Sequence, residues 1–324
     1  MIHIRNIAKQ LSRGTRASSF ADDTRVQRGI SSLTDCQELQ ADLEIIYSWA
    51  EHVNMKFNSD KFECMRYWPI PENVPAHQYL APDKQVIKVK SDLRDLGVQL
   101  SSNLNFKVHI ENVLASASKL ASWGLRTFSN RSRRVILTLL KSLVQPKLDY
   151  CSQLWAPSDQ TSINRLEQVQ GHLVNQIKDP KLYDLHYWDK LKELNLYSQE
   201  RRRERYMIIF LWKISQSMVS GYSMEFSFDG GRRGRRIIPK AVVLTAPSAV
   251  RNARERSLAV KGAKLFNLLP ESLRGMNSQH VDFFKNHLDV FLSSIPDQPT
   301  HAGLGRAAET NSLLHQIPLF YAMT

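Results

Sequence analysis

Two adjacent carboxylates, Asp22 and Asp23, stand two residues beyond the aromatic Phe20 in the string Phe20-Ala21-Asp22-Asp23-Thr24. Carboxylates side by side at a tight turn can offer hard oxygen ligands to magnesium, which in a two-metal in-line displacement holds a triphosphate and activates an attacking hydroxyl. That chemistry needs a third carboxylate, and such a string taken alone is more often a helix N-cap or an ordinary turn. The preceding Arg16, Ala17, Ser18 and Ser19 lack the apolar alternation of a strand, which argues against a hairpin at this point.

A second chemical signal is positive charge. The chain carries 44 Lys and Arg against 31 Asp and Glu, a formal +13, a surface that attracts polyanions. Between Arg201 and Arg256 thirteen basic residues face four acidic ones. Two clusters dominate: Arg201, Arg202, Arg203 and Arg205, then Arg232, Arg233, Arg235 and Arg236 interleaved with glycine in GGRRGRR. Glycines let a backbone wrap a phosphate chain while arginines displace its counterions, although an import tag or a solvated loop has the same composition. Nucleic acid is therefore the leading partner class.

The elements that must hold these residues follow from periodicity. Thr34 and Gln37 have capping-box spacing, and Cys36, Leu39, Leu43, Ile46, Tyr47 and Ala50 recur at helical intervals, which predicts a helix over 34–52. Short β-like segments are expected at 55–58, 62–67, 85–90 and 96–100, interrupted by the proline-rich 69–82. Beyond residue 101 the pattern becomes helical: faces at 113–125, at 135–144 up to Pro146, at 163–177, a helix over 196–217 whose arginines lie in its first half, and a last helix at 280–293. Arginines early in a helix oppose its macrodipole, so groups outside the helix must compensate them, and phosphate is one such group. The fold class is α+β.

Composition excludes several classes. Apolar residues at 42% and charged residues at 23% are ordinary for a globular chain of 324 residues. The longest apolar run, 206–212, falls far short of a membrane span. Cys36, Cys64 and Cys151 are widely spaced, which disfavours a disulfide framework or a cysteine zinc site. Trp49, Trp123 and Trp155 lie beside apolar faces and read as core, and neither His109 nor His172 has a second ligand at helical spacing. Residues 1–21 contain no acid and four bases, a composition shared with mitochondrial transit peptides, yet their apolar face is short; nucleus or cytoplasm is the favoured compartment.

Taken together, FADDT at 20–24, DCQELQADLEIIYSWAEHVNMKFNSDKFECM at 35–65, DLGVQLSSNLNFKVHIENVLASASK at 95–119, LVQPKLDYCSQLWAP at 143–157, LKELNLYSQERRRER at 191–205 and the segments through IPDQP at 299 resemble, in order, the reverse transcriptases of jockey-like non-LTR retrotransposons. The resemblance implies a palm remnant of short antiparallel strands plus a helix over 20–100, a helical thumb over 101–220 and a basic carboxy-terminal region over 221–295. A non-matching basic leader at 1–19 and a disordered tail at 296–324 would flank them. It implies Asp22 and Asp23 as metal-binding and catalytic residues with Mg2+, and Lys61 of the Asn58-x-x-Lys61 motif as a group acting near the pyrophosphate. Leu96-Gly97-Val98 would form the turn that grips a primer, the four arginines from Arg201 would contact a duplex, and RNA and DNA would be the partners. The family's fingers and first half of the palm, with a further metal-binding aspartate, have no counterpart before Phe20. The expectation is thus a reverse-transcriptase fragment without polymerase activity on its own, the alternative being a nonenzymatic nucleic-acid-binding remnant.

Overall fold

The computed structural model describes residues 10–67, 77–221, 224–228, 239–243, 254–278, 280–299 and 311–323. The chain divides into two compact units, Met1–Asn105 and Phe106–Thr324. The first mixes short strands with one long helix; the second is predominantly helical, so the chain is α+β.

In the first unit, β1 (Thr15–Phe20) and β2 (Asp23–Arg28) form an antiparallel hairpin, with Phe20 opposite Asp23. α1 (Leu33–His52) follows. Its capping box is built two residues earlier than Thr34 and Gln37 suggest: Ser32 caps the Asp35 N–H while the Asp35 carboxylate accepts from the Ser32 N–H at 2.9 Å. Aspartate serves at N3 because its second bonds reach Ser31 as well. β3 (Glu63–Met65) pairs in parallel with β4 (Lys88–Lys90), and β5 (Asp92–Asp95) pairs antiparallel with β6 (Val98–Ser101). Residues 55–58, expected as a strand, are irregular; Phe57 instead packs edge-on against Tyr47 and Phe62.

The second unit holds two apolar cores. The first gathers α2 (Lys107–Thr127), α3 (Arg133–Leu139), α4 (Gln145–Asp149), α5 (Ser152–Trp155), α6 (Gln160–Val174) and α7 (Tyr187–Glu193) around Ile136, Leu140, Leu148, Trp155, Leu166 and Leu173. Pro146 does not stop the helix that begins at Arg133. A π-helical turn, Leu140–Val144, widens the backbone ahead of it, and Pro146 then occupies the first turn of α4, where its missing N–H costs little.

The second core lies between α8 (Gln199–Ser215) and the carboxy-terminal elements. These are the hairpin β7 (Phe226–Phe228) and β8 (Pro239–Ala241), a π-turn at Leu258–Gly262, α9 (Ala263–Asn267), α10 (Glu271–Arg274), α11 (Val281–Ser293) and α12 (Leu313–Met323). Trp212 stacks on Phe284 at 4.5 Å between nearly parallel rings. Gly262 permits the π-turn to approach α8: a Cβ there would stand 2.8 Å from Leu211 Cδ1. The tail expected to be disordered from 296 contains α12, whose Leu313 and Ile317 are fully buried. Its composition hid this because the anchoring bonds come from α8, more than one hundred residues away: Ser312 Oγ and the Leu313 N–H both donate to Glu204, at 2.6 and 2.7 Å.

Candidate functional site

The carboxylate pair stands at the tip of the first hairpin. Ala21 takes a left-handed φ of 54°, which closes a two-residue turn and leaves Asp22 and Asp23 exposed. Ser19 and Thr24 share a hydroxyl hydrogen bond of 3.1 Å just below the turn. The hairpin forms without apolar alternation because its open end is tied down. Arg28, nearly buried, donates to Ser12 Oγ at 2.8 Å and Thr15 Oγ1 at 3.0 Å, and its guanidinium faces Asp35, Glu38 and Asp42 of α1. Asp42, 1% exposed, accepts from the Ser12 N–H at 2.8 Å and from Ser12 Oγ at 2.6 Å. Burial would raise the Asp42 pKa, but the Ser12 and Thr15 hydrogen bonds and the Arg28 charge outweigh it and hold the carboxyl below its ordinary value. Ser12, assigned to the leader by sequence, is thus part of the hairpin's anchor.

The other expected site residues of this unit are exposed. Asn58 caps a 3₁₀ turn, Ser59–Lys61, by accepting from the Asp60 N–H at 3.1 Å, and Lys61 ends that turn facing solvent. Leu96 and Gly97, with φ of 44° and 84°, form the turn between β5 and β6. Both angles are positive, the demand of a tight hairpin, which glycine meets without strain and leucine does not. The structure links this turn to the first hairpin: Arg25 on β2 pairs with Asp95 at 3.2 Å and reaches the Tyr67 hydroxyl at 3.5 Å. The two hairpins bearing Asp22 and Gly97 are therefore tied to one another, while among the described residues no bond connects Lys61 to either.

Among the described residues no three His, Cys, Asp or Glu side chains stand together so as to hold a metal ion. Asp22 and Asp23 would give magnesium two of its oxygen ligands, with water and substrate phosphate supplying the rest, but the third carboxylate that two-metal chemistry needs does not stand beside them among the described residues.

The arginines of α8 are turned inward, contrary to the phosphate-binding role expected for them. Arg201 is fully buried and donates to the Leu292 carbonyl in the last turn of α11 and to the Ile295 and Pro296 carbonyls beyond its end. Arg202 grips Asp149 through two nitrogens at 2.7–2.8 Å and lies against the Tyr206 ring. Arg205 holds Asp289 in the same forked way, at 2.5 and 2.6 Å. Arg203 is 2% exposed; burial depresses its pKa, while Glu200, Glu167, Glu204 and Asp149 oppose that shift. The groups that compensate the helix dipole are therefore the chain's own carboxylates and carbonyls. Arg232, Arg233, Arg235 and Arg236 lie outside the described residues.

A different basic surface is open. Arg134, Thr138, Lys141 and Ser142 line a groove of about 460 Å³ on the outer face of α3 and the π-turn. All four are exposed, and Arg134 and Lys141 have no carboxylate partner among the described residues. Their spacing of four, three and one is the complement of the buried Ile136, Leu139 and Leu140, so the face was readable as the polar side of the 135–144 helix. It was missed because two separated cations make no run. The tryptophans divide: Trp155 is buried, its indole N–H on the Tyr150 carbonyl at 2.7 Å, whereas Trp123 is 47% exposed and was wrongly read as core. His109 packs edge-on against Trp155.

No family model matches the chain, and no solved structure does. Over 170 residues, 51% of this chain, it is 25% identical to the RNA-directed DNA polymerase from mobile element jockey of Drosophila melanogaster, and the matched part is 18% of that protein's length.

Proposed function

We propose that the chain derives from the palm and thumb of a jockey-like non-LTR retrotransposon reverse transcriptase, and that by itself it binds RNA and DNA without extending a primer. The derivation is supported by the similarity to the jockey polymerase and by the Asp22–Asp23 hairpin tied to the Gly97 turn. Binding rests on one observation, the exposed groove carrying Arg134 and Lys141 beside two hydroxyls, a surface suited to successive phosphates of a nucleic-acid backbone. The absence of polymerisation rests on the lack of a third carboxylate beside the dyad among the described residues.

Two measurements test the reading. Purified protein is expected to give no template-dependent primer extension with magnesium or manganese; incorporation that vanishes in Asp22→Ala would overturn this. Filter binding to duplex across a salt series is expected to show Kd weakening with salt, and Arg134→Ala/Lys141→Ala is expected to reduce the slope of log K against log salt by about 2, at ~0.9 per phosphate contact. An unchanged slope would remove this groove from the interface and leave the charge to the 232–236 cluster.

A further inference from the structure

The outer face of α2 carries an aromatic side chain between two cations. Lys119, Trp123 and Arg126 follow one another at intervals of four and three residues, so they lie in one row along the helix, about 10 Å from end to end at ~1.5 Å per residue. All three are exposed, and neither Lys119 nor Arg126 has a carboxylate partner among the described residues. The buried Ala117, Ala121 and Gly124 hold the opposite side of the helix, where a Cβ on Gly124 would stand 3.4 Å from Leu139 Cδ2. The charge around the row is of one sign. Glu111, the only acid of α2, is held by Arg165, and from Asn112 to Leu148 the chain has seven lysines and arginines and no aspartate or glutamate.

Trp123 has an aromatic companion. Phe128, 43% exposed, follows the end of the helix with its ring 6.4 Å from that of Trp123 and inclined at 89°, so the two rings form an open corner rather than a closed stack. Arg131 fixes the corner: its guanidinium donates to the Phe128 and Leu125 carbonyls and closes the last turn of α2. Two rings half open to water and already held at an angle give a flat partner a face to stack on at little ordering cost.

We propose that this face binds single-stranded nucleic acid, with an unpaired base in the Trp123–Phe128 corner and backbone phosphates at Lys119 and Arg126. Aromatic faces interleaved with cations are what an unpaired strand needs, because every base has a ring face and every linkage a negative charge. Within a duplex the ring faces are already stacked on one another, so the corner selects unpaired strands where the groove on α3 meets phosphate alone. An acidic polypeptide would satisfy the two cations but leave both rings uncovered. The proposal rests on the nucleic-acid-binding reading and names the form of the strand.

The test is fluorescence anisotropy of the full chain with labelled oligothymidine of about twelve nucleotides, oligouridine, and an abasic strand of the same length and charge. Oligothymidine is expected to bind about tenfold more tightly than the abasic strand, and oligouridine to match it, since stacking does not need one particular sugar. Trp123→Ala is expected to remove that advantage without changing the salt slope, and Trp123→Phe to keep most of it. Lys119→Ala/Arg126→Ala should do the converse, lowering the slope by about 1.4, at ~0.7 per phosphate of a single strand, while the base-dependent ratio stays. All these positions are exposed, and unchanged melting curves verify the fold. Equal binding of the abasic strand and oligothymidine, or an advantage that survives Trp123→Ala, would overturn the proposal. So would a sedimenting dimer that Trp123→Ala dissolves with strand binding unaltered, which would assign the face to a second copy. Salt-dependent duplex binding through Arg134 and Lys141 with no base-dependent advantage sinks the stacking corner alone; the absence of salt-dependent binding to any strand sinks both readings.

Discussion

Arg28 and Asp42 decide whether the carboxylate hairpin exists in a fixed place. Neither belongs to a recognisable motif, yet together with Ser12 they join the open end of β1–β2 to α1. Asp42 is held below its ordinary pKa once folded, so its contribution is fully present above the unfolded value near 4 and is lost as pH falls through the folded one. Asp35, kept low first by the Ser31 backbone and side-chain bonds and then by Ser32, has the same sign. Asp42→Asn is expected to destabilise the first unit by about 1–2 kcal/mol at pH 7, since it removes the charged acceptor of the Ser12 bonds and one of the three carboxylates that face Arg28. The variant should also lose less stability than the parent between pH 5 and pH 2. Urea unfolding followed by circular dichroism at each pH measures both effects, and an equal acid dependence in the two proteins would contradict the assignment.

At the scale of elements, α8 shows how a cluster of cations can be a structural device. Arg201, Arg202 and Arg205 occupy the first half of the helix, where positive charge is unfavourable to the dipole, and each is matched by oxygens from outside it: Arg201 by α11 and the segment after it, Arg202 by α4 and Arg205 by α11. The helix thereby clamps α4, α11 and the segment after it. Arg201→Ala is expected to cost about 3 kcal/mol, because it takes the guanidinium donors from the Ile295 and Pro296 carbonyls and empties the volume of a fully buried side chain. The same change is expected to leave the nucleic-acid salt slope unaltered. Thermal melting and filter binding on one preparation separate the two roles; a normal melting curve with a reduced slope would return Arg201 to the phosphate interface.

At the scale of the whole molecule, the two units should respond to pH in opposite directions. In the second unit Glu167 sits among Tyr187, Gln170, the Gln199 N–H, Arg203 and Asp297, and its pKa is raised by burial to about 7. A raised carboxyl pKa gives stability that is complete below the unfolded value near 4.5 and lost as pH rises through 7. Amide hydrogen exchange with mass-spectrometric readout is expected to show helices α6–α8 more protected at pH 5.5 than at pH 8 after correction for intrinsic rates. Glu167→Gln should flatten that difference, while α1 in the first unit changes little over the same window. Equal dependence in parent and variant would show that Glu167 is not the group responsible.

Local pattern by itself determined the class of fold, the long helices and the order of motifs, since helical periodicity and apolar spacing are properties of neighbours along the chain. The 34–52, 163–177, 196–217 and 280–293 helices were all readable in this way, and α1, α6, α8 and α11 stand there. Asp22, Asp23, Lys61 and Gly97 are named as site residues by the resemblance to jockey-like reverse transcriptases, and the structure joins the Asp22 and Gly97 hairpins through Arg25 and Asp95. Only the tertiary structure decided which charges face water. Arg201 and Arg134 are the same residue type on amphipathic helices, but one meets carbonyls ninety residues away and the other meets solvent. The hairpin before a polar string, the helix through Pro146 and α12 in an apparently formless tail were hidden for the same reason. Their stabilising partners, Asp42 for Ser12, the widened π-turn for Pro146 and Glu204 for Ser312, lie in other elements or in backbone geometry, which residue order does not display.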